Sequence, residues 1–85
     1  MYKITTHSKR IEKQFYEVIH MRPGIAEKLD KLKQDPRGAL EAHKLKGKWE
    51  GFWSCYLGWD IRLMYDIDDG KKEIIIIKAG SHKIY

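Results

Sequence analysis

The stretch Ile61-Arg62-Leu63-Met64-Tyr65-Asp66-Ile67-Asp68-Asp69-Gly70-Lys71 decides the fold. Ile61, Leu63, Tyr65 and Ile67 take every second position. An extended chain therefore sets them on one face, with Arg62, Met64 and Asp66 on the other. Asp68-Asp69-Gly70-Lys71 then reads as a hairpin turn, because Asp-Gly accepts the positive φ of tight turns. Glu73–Lys78 is the next strand. Its run Ile74-Ile75-Ile76-Ile77 fits a central strand covered, or nearly so, on both faces. Upstream, Phe52–Leu57 is strand-like and Gly58-Trp59 makes the turn into Ile61. Cys55 falls inside that strand as a small buried hydrophobe.

The N-terminal half has a different period. Tyr2–Thr6 is a short opening strand, and Ser8 can cap a helix by accepting from a first-turn amide. Ile11, Phe15, Val18 and Ile19 make an apolar stripe flanked by Lys9, Arg10, Glu12, Lys13 and Glu17. This helix is expected to end near Met21. A second is expected to start at Pro23, which suits a first helical turn. Its stripe is Ile25, Leu29 and Leu32, and Pro36 with Gly38 stops it. The predicted fold class is α+β in the order β-α-α-β-β-β. A small, mostly antiparallel sheet carries an N-terminal helical hairpin packed on it, as one domain over residues 1–85.

The net charge of +5 points to an anionic partner, with nucleic acid the first candidate. One cysteine excludes a disulfide framework within the chain and fits a reducing cytosol, so a cytoplasmic location is expected. No stretch has the apolar length of a signal peptide or a membrane span. Metal-ligand Cys/His spacing, a glycine-rich phosphate loop and a Ser-His-Asp signature are all missing from the sequence.

The residues able to do chemistry lie around the central strands. In His43-Lys44-Leu45-Lys46-Gly47-Lys48-Trp49, an extended backbone would set Lys44, Lys46 and Lys48 on one side as a phosphate track. A solvated edge strand guarded by lysines is the plainer alternative. His82 follows the last strand, where Gly80 can turn the backbone and free the imidazole from the sheet. RNA cleavage by internal attack needs a base for the 2′-OH proton, a cation at the phosphorus centre and an acid for the departing 5′-oxygen. His43, Arg62 (or the lysines) and His82 suit those roles. Trp49, Trp53, Tyr56, Trp59 and Tyr85 are rings able to stack on unpaired bases, although Trp53, like Tyr65, is better read as core. His7 and His20 read as surface residues.

His43-x-Leu45-Lys46-Gly47-x-Trp49, then Cys55, Asp60, Leu63 and Tyr65, then Gly80-Ser81-His82, resembles the YafQ branch of the RelE/ParE toxin superfamily. Arg62-Leu63-Met64-Tyr65 also resembles the Arg-Leu-Val-Tyr segment of RelE, whose arginine binds near the scissile phosphate. The resemblance implies a ribosome-dependent mRNA endoribonuclease of a type II toxin–antitoxin system, needing no metal or other cofactor. Its partners would be messenger RNA, the ribosome and an antitoxin encoded beside it. It implies catalytic roles for His43, Asp60, Arg62 and His82, with Tyr85 helping to form the site. The chain departs from the branch at Tyr56, where the relatives carry a second histidine. A tyrosine there can orient the 2′-OH, or act as the base beside cations. The last turn is also one residue shorter. Two other readings share the fold: a ParE-like DNA gyrase inhibitor, which would need neither His43 nor His82, and an inactive interaction protein.

Overall fold

Ser8 starts the first helix as its spacing predicts. Its backbone is extended (φ −156°, ψ 168°) and its hydroxyl accepts from the Ile11 amide at 3.3 Å. The helix, α1, spans Lys9–Ile19 and buries Val18, while Ile11, Phe15 and Ile19 pack against the core from its rim. The second helix, α2, spans Ile25–Gln34 and begins two residues later than Pro23 suggests. Gly24 takes φ 86°, a left-handed conformation that a right-handed helix cannot contain, so Pro23 and Gly24 form the turn instead. The expected stripe of Ile25, Leu29 and Leu32 is buried.

In this computed structural model, residues 1–58 and 60–81 are described, Ser81 by its backbone alone. Trp59, expected in a turn, and the candidates His82 and Tyr85 lie outside the described residues.

The strands are β1 (Lys3–Thr6), β2 (His43–Lys44), β3 (Trp53–Gly58), β4 (Ile61–Asp68) and β5 (Glu73–Ser81). They form one five-stranded sheet in the order β1-β5-β4-β3-β2. Every neighbouring pair is antiparallel except β1 with β5, which runs parallel. The helices thus carry the chain from one edge of the sheet to the other, and they cover one face of it.

Alternation along β4 works as read. Ile61, Leu63 and Tyr65 meet Cys55 and Leu57 of β3, Ile74 and Ile76 of β5, and the helical residues Val18, Ile25, Leu29 and Leu32. Each large apolar side chain buried here is worth about 1.5–3 kcal/mol. Tyr65 is fully buried, and its hydroxyl donates to the Pro36 carbonyl at 2.6 Å, so its one polar atom is satisfied. Burial pushes the Tyr65 hydroxyl pKa up, and it raises the Cys55 thiol to about 12. Cys55 is thus the inert hydrophobe expected. Trp53 packs on the rim of the same core. Within β5, Ile74 and Ile76 are fully buried, while Ile75, across from Asp66, and Ile77, at the register shift before Lys78, are half-buried.

Three local expectations need correction. The hairpin forms, but its turn is Asp69–Lys72, one residue beyond the expected Asp68–Lys71, and Lys72 (φ 56°), not Gly70, takes the left-handed position. The loop is longer than a two-residue turn, and Asp68 ties it by accepting from the Lys71 amide at 3.0 Å. β5 does not end at Lys78: it continues through Gly80, which pairs with Arg62, so the backbone does not turn out at Gly80. The stretch from His43 to Trp49 is not one extended strand either. Gly47 takes φ 70° and a 3-10 turn spans Gly47–Trp49, so only His43 and Lys44 join the sheet.

At the hairpin end of the sheet, Asp69 accepts from both Arg37 guanidinium nitrogens, at 3.1 and 2.9 Å, and from the Tyr2 hydroxyl at 2.5 Å. These bonds, the guanidinium first, hold the Asp69 carboxyl at about 2. Among the described residues no helix is long and apolar enough to cross a membrane.

Candidate active site

The sheet face away from the helices carries the chemistry. On β4 it presents Arg62 and Met64, on β3 Ser54 and Tyr56, on β2 His43 and on β5 Lys78 and Gly80. Arg62 sits directly across from Tyr56 in the β3–β4 ladder, and its guanidinium carbon lies 4.9 Å from the Tyr56 ring centroid. His43, whose strand partner is Ser54, reaches diagonally to stack on Tyr56 with centroids 6.1 Å apart and planes 30° apart. Imidazole, phenol and guanidinium thus form one row across three strands, a cation–π contact at one end and a ring stack at the other.

His43 is oriented from behind. Its Nδ1 lies 3.0 Å from the Glu41 carbonyl oxygen. A carbonyl only accepts, so Nδ1 carries the proton, and Nε2 keeps its lone pair in the neutral ring. Leu40 (φ 56°) and Glu41 (φ 58°) both take left-handed backbone immediately before β2. Such residues cost about 1–2 kcal/mol each, so surrounding structure holds this bend in place. Beside it, Tyr56, Gly58, Leu40, Glu41 and Lys28 line a groove of about 440 Å³.

The other candidates are distributed differently. Asp60, in the β3–β4 turn, is gripped by both terminal nitrogens of Arg22, at 2.6 and 2.7 Å. Arg22 comes from the turn between the helices, and Lys28 of α2 donates to the Leu57 carbonyl at 3.2 Å, so two cations pin the helical hairpin to this end of the sheet. Lys44 pairs with Trp53 and lies over its ring at 5.9 Å, on the helix side of the sheet. The lysine track is therefore split: Lys44 is on one face, while Lys46 and Lys48 lie beyond the strand, where the Gly47 turn redirects the chain.

Trp49 is held over the open face by cations rather than left free to stack. The Lys78 ammonium lies 4.5 Å from its ring and that of Lys48 5.6 Å. Its indole Nε1 is buried without a hydrogen-bond partner among the described residues. Beneath this layer Met64 and Ser54 are fully buried.

Three residues escaped the sequence reading. Lys78 looked like the end of an apolar strand, but its place across from Met64 sets a cation on the same face as Arg62. Glu41 acts through its backbone, which leaves no side-chain signature. Arg22 is one of three exposed arginines with nothing in the sequence to mark it out, and only the tertiary turn brings it to Asp60. Among the described residues, no cluster of three or more His, Cys, Asp or Glu side chains is placed to hold a metal.

A five-stranded sheet backed by a helical hairpin agrees with the comparisons. The family model described as "Bacterial toxin of type II toxin-antitoxin system, YafQ" matches residues 2–84. The chain belongs to the YafQ family of toxins. A copper-bound mutant toxin from Helicobacter pylori is similar along 100% of both chains, with 26% identity and a TM-score of 0.72. The toxin-antitoxin complex of YoeB with YefM from Staphylococcus aureus matches with 20% identity over 96% of this chain and 98% of that one, at a TM-score of 0.71. A mutant of YafQ from E. coli matches with 19% identity over 96% and 94%, at 0.67. The latter two likenesses show the fold. A search of curated protein sequences returned no match. Membership of the YafQ family accounts for the arrangement of two helices on a five-stranded sheet.

Proposed function

We propose that this YafQ-family toxin is an endoribonuclease that cuts messenger RNA on the ribosome and is restrained by an antitoxin. The row of His43, Tyr56 and Arg62 carries the reading. It sets a base with an exposed lone pair, a hydroxyl and a bidentate phosphate ligand side by side on one sheet face.

In the proposed reaction His43 Nε2 takes the 2′-OH proton while the Tyr56 hydroxyl orients that oxygen. The O2′–P bond forms and the P–O5′ bond breaks, leaving a 2′,3′-cyclic phosphate. Arg62, helped by Lys78, stabilises the charge gathering on the phosphoryl oxygens. His82 gives its proton to O5′. Support for His82 is its sequence position, directly after Gly80 and Ser81, whose strand partners are Arg62 and Ile61. Asp60 is assigned an indirect part, held by Arg22 at the rim. Lys46, Lys48, Trp49 and Tyr85 would contact the RNA.

The domain offers little surface for reading sequence, so the ribosome would present the message and meet the entropic cost of alignment. The antitoxin would cover the basic face. The deciding experiment is cleavage of message during translation by purified components. Wild type should cut, with His43→Ala and His82→Ala slower by about 100-fold or more, the size of a lost acid or base. If folded wild-type protein leaves message intact, the reading fails, and inhibition of gyrase supercoiling is the assay to run next.

A further inference from the structure

β1 stops at Thr6, opposite Ile76, while β5 runs on to Ser81. Past Ile76 the outer edge of β5 therefore has no strand beside it, and the first turns of α1 flank the gap instead. The result is a notch of about 510 Å³, with His7, Arg10 and Gln14 on one wall and Ile77, Lys78 and Ala79 on the other. Among the described residues no carboxylate lines it. Arg10 is exposed and has no carboxylate partner among the described residues. Lys78 belongs both to this notch and to the open face, where its ammonium lies over Trp49. The notch thus opens beside the His43–Tyr56–Arg62 row.

We infer that the notch binds the phosphate–ribose backbone of single-stranded RNA, as a second contact beside the candidate active site. The polymer's identity rests on the nuclease reading. The guanidinium of Arg10 matches phosphate oxygens bidentately, and the ammonium of Lys78, held over Trp49 on the adjoining face, adds positive charge close by. The Gln14 amide suits a ribose hydroxyl. Among the described residues the His7 imidazole is the one ring at the notch, so contacts to the backbone outnumber contacts to bases, and binding depends little on sequence and strongly on salt. A peptide adding a strand to the β5 edge would need pockets for alternate apolar side chains. Among the described residues Ile11, Ile77 and Ala79 are the only apolar groups on offer.

The test measures binding of labelled oligouridylate to the full chain by fluorescence anisotropy across a salt series. Arg10→Ala is compared with wild type and with Lys31→Ala, an exposed control on α2. Arg10→Ala should weaken binding about tenfold, one charge-assisted contact, and reduce the salt slope by about one. Lys31→Ala should change neither, and Arg10→Lys should recover part of the loss. Repeating the series on message-free small ribosomal subunits separates the sources: a loss confined to oligouridylate assigns the notch to messenger, and an equal loss assigns it to ribosomal RNA.

Wild-type affinity and slope in Arg10→Ala overturn the inference, as does failure of the wild type to bind RNA. So does an Arg10→Ala variant that loses antitoxin but keeps RNA. Arg10-dependent binding by a protein that cuts no message leaves the notch standing and removes only the nuclease.

Discussion

His43 donates from Nδ1 to the Glu41 carbonyl at 3.0 Å, and Glu41 presents that carbonyl from a left-handed backbone with φ 58°. A strained residue thereby fixes which imidazole nitrogen keeps the lone pair that the proposed reaction uses. Glycine adopts this φ without the side-chain clash, so Glu41→Gly should keep cleavage and be neutral to about 1 kcal/mol stabilising. Proline, fixed near φ −65°, should destabilise the bend and slow cleavage. Denaturant melts and the translation-coupled cleavage rate together check this, and a Glu41→Gly variant as slow as His43→Ala would contradict it.

Arg62 and Tyr56 should separate by role. Arg62→Ala removes the phosphate ligand and is expected to cost about 100- to 1,000-fold in rate, the scale of a lost donor at a developing charge. Arg62→Lys keeps the charge but loses the fork, and should recover only part of that. Tyr56→Phe keeps the ring for both neighbours and should leave stability within about 0.5 kcal/mol. Its rate should fall about tenfold, the worth of one hydrogen bond. Single-turnover kinetics would show an unchanged Tyr56→Phe rate if the ring alone matters.

Tyr65 tests the core. Its hydroxyl donates to the Pro36 carbonyl at 2.6 Å from a fully buried position. Tyr65→Phe leaves that carbonyl without its partner and should cost about 1–3 kcal/mol in urea unfolding. Leu63→Ala, by opening a cavity at the centre of the sheet, should cost about 2–5 kcal/mol.

The Asp69 clasp should show in the pH dependence of stability. Its carboxyl is held at about 2, below the ordinary value of 3.8, first by Arg37 and then by Tyr2. A lowered folded value means stability that is complete above the unfolded value and lost as pH falls through the folded one. The Tm difference between wild type and Asp69→Asn should thus be small and constant near neutrality, and shrink between about pH 4 and 2. A difference that persists at the acid end would assign the effect to something other than this ionisation.

The fold was legible where side-chain period and backbone agree. Ile61, Leu63 and Tyr65 alternate because one face is buried, and Ile25, Leu29 and Leu32 repeat because α2 lies on that face. Legibility failed where backbone conformation overrode pattern. Nothing in Lys44-Leu45-Lys46-Gly47-Lys48 distinguishes a strand from a strand broken at Gly47, since alternating lysines suit both. Pro23 was a sound helix start until Gly24 took the left-handed turn. In the site, His43 and Arg62 were readable from chemistry and resemblance, and Tyr56 from its departure at the position of the missing histidine. The pairing of Asp60 with Arg22 was not, because it joins residues 38 apart in sequence through the packing of a whole hairpin.

The parallel pairing of β1 with β5 aligns Lys3 with Glu73 and Ile4 with Ile74. The first strand therefore has no sheet neighbour until β5, about 70 residues further on, has been made. Local contacts allow α1 and α2 to form early, but the sheet closes only through a loop spanning most of the sequence. Arg62 needs β5 beside it as well, since Gly80 is its partner. The candidate site is consequently completed only when β5 docks beside β4, a late and long-range step of folding.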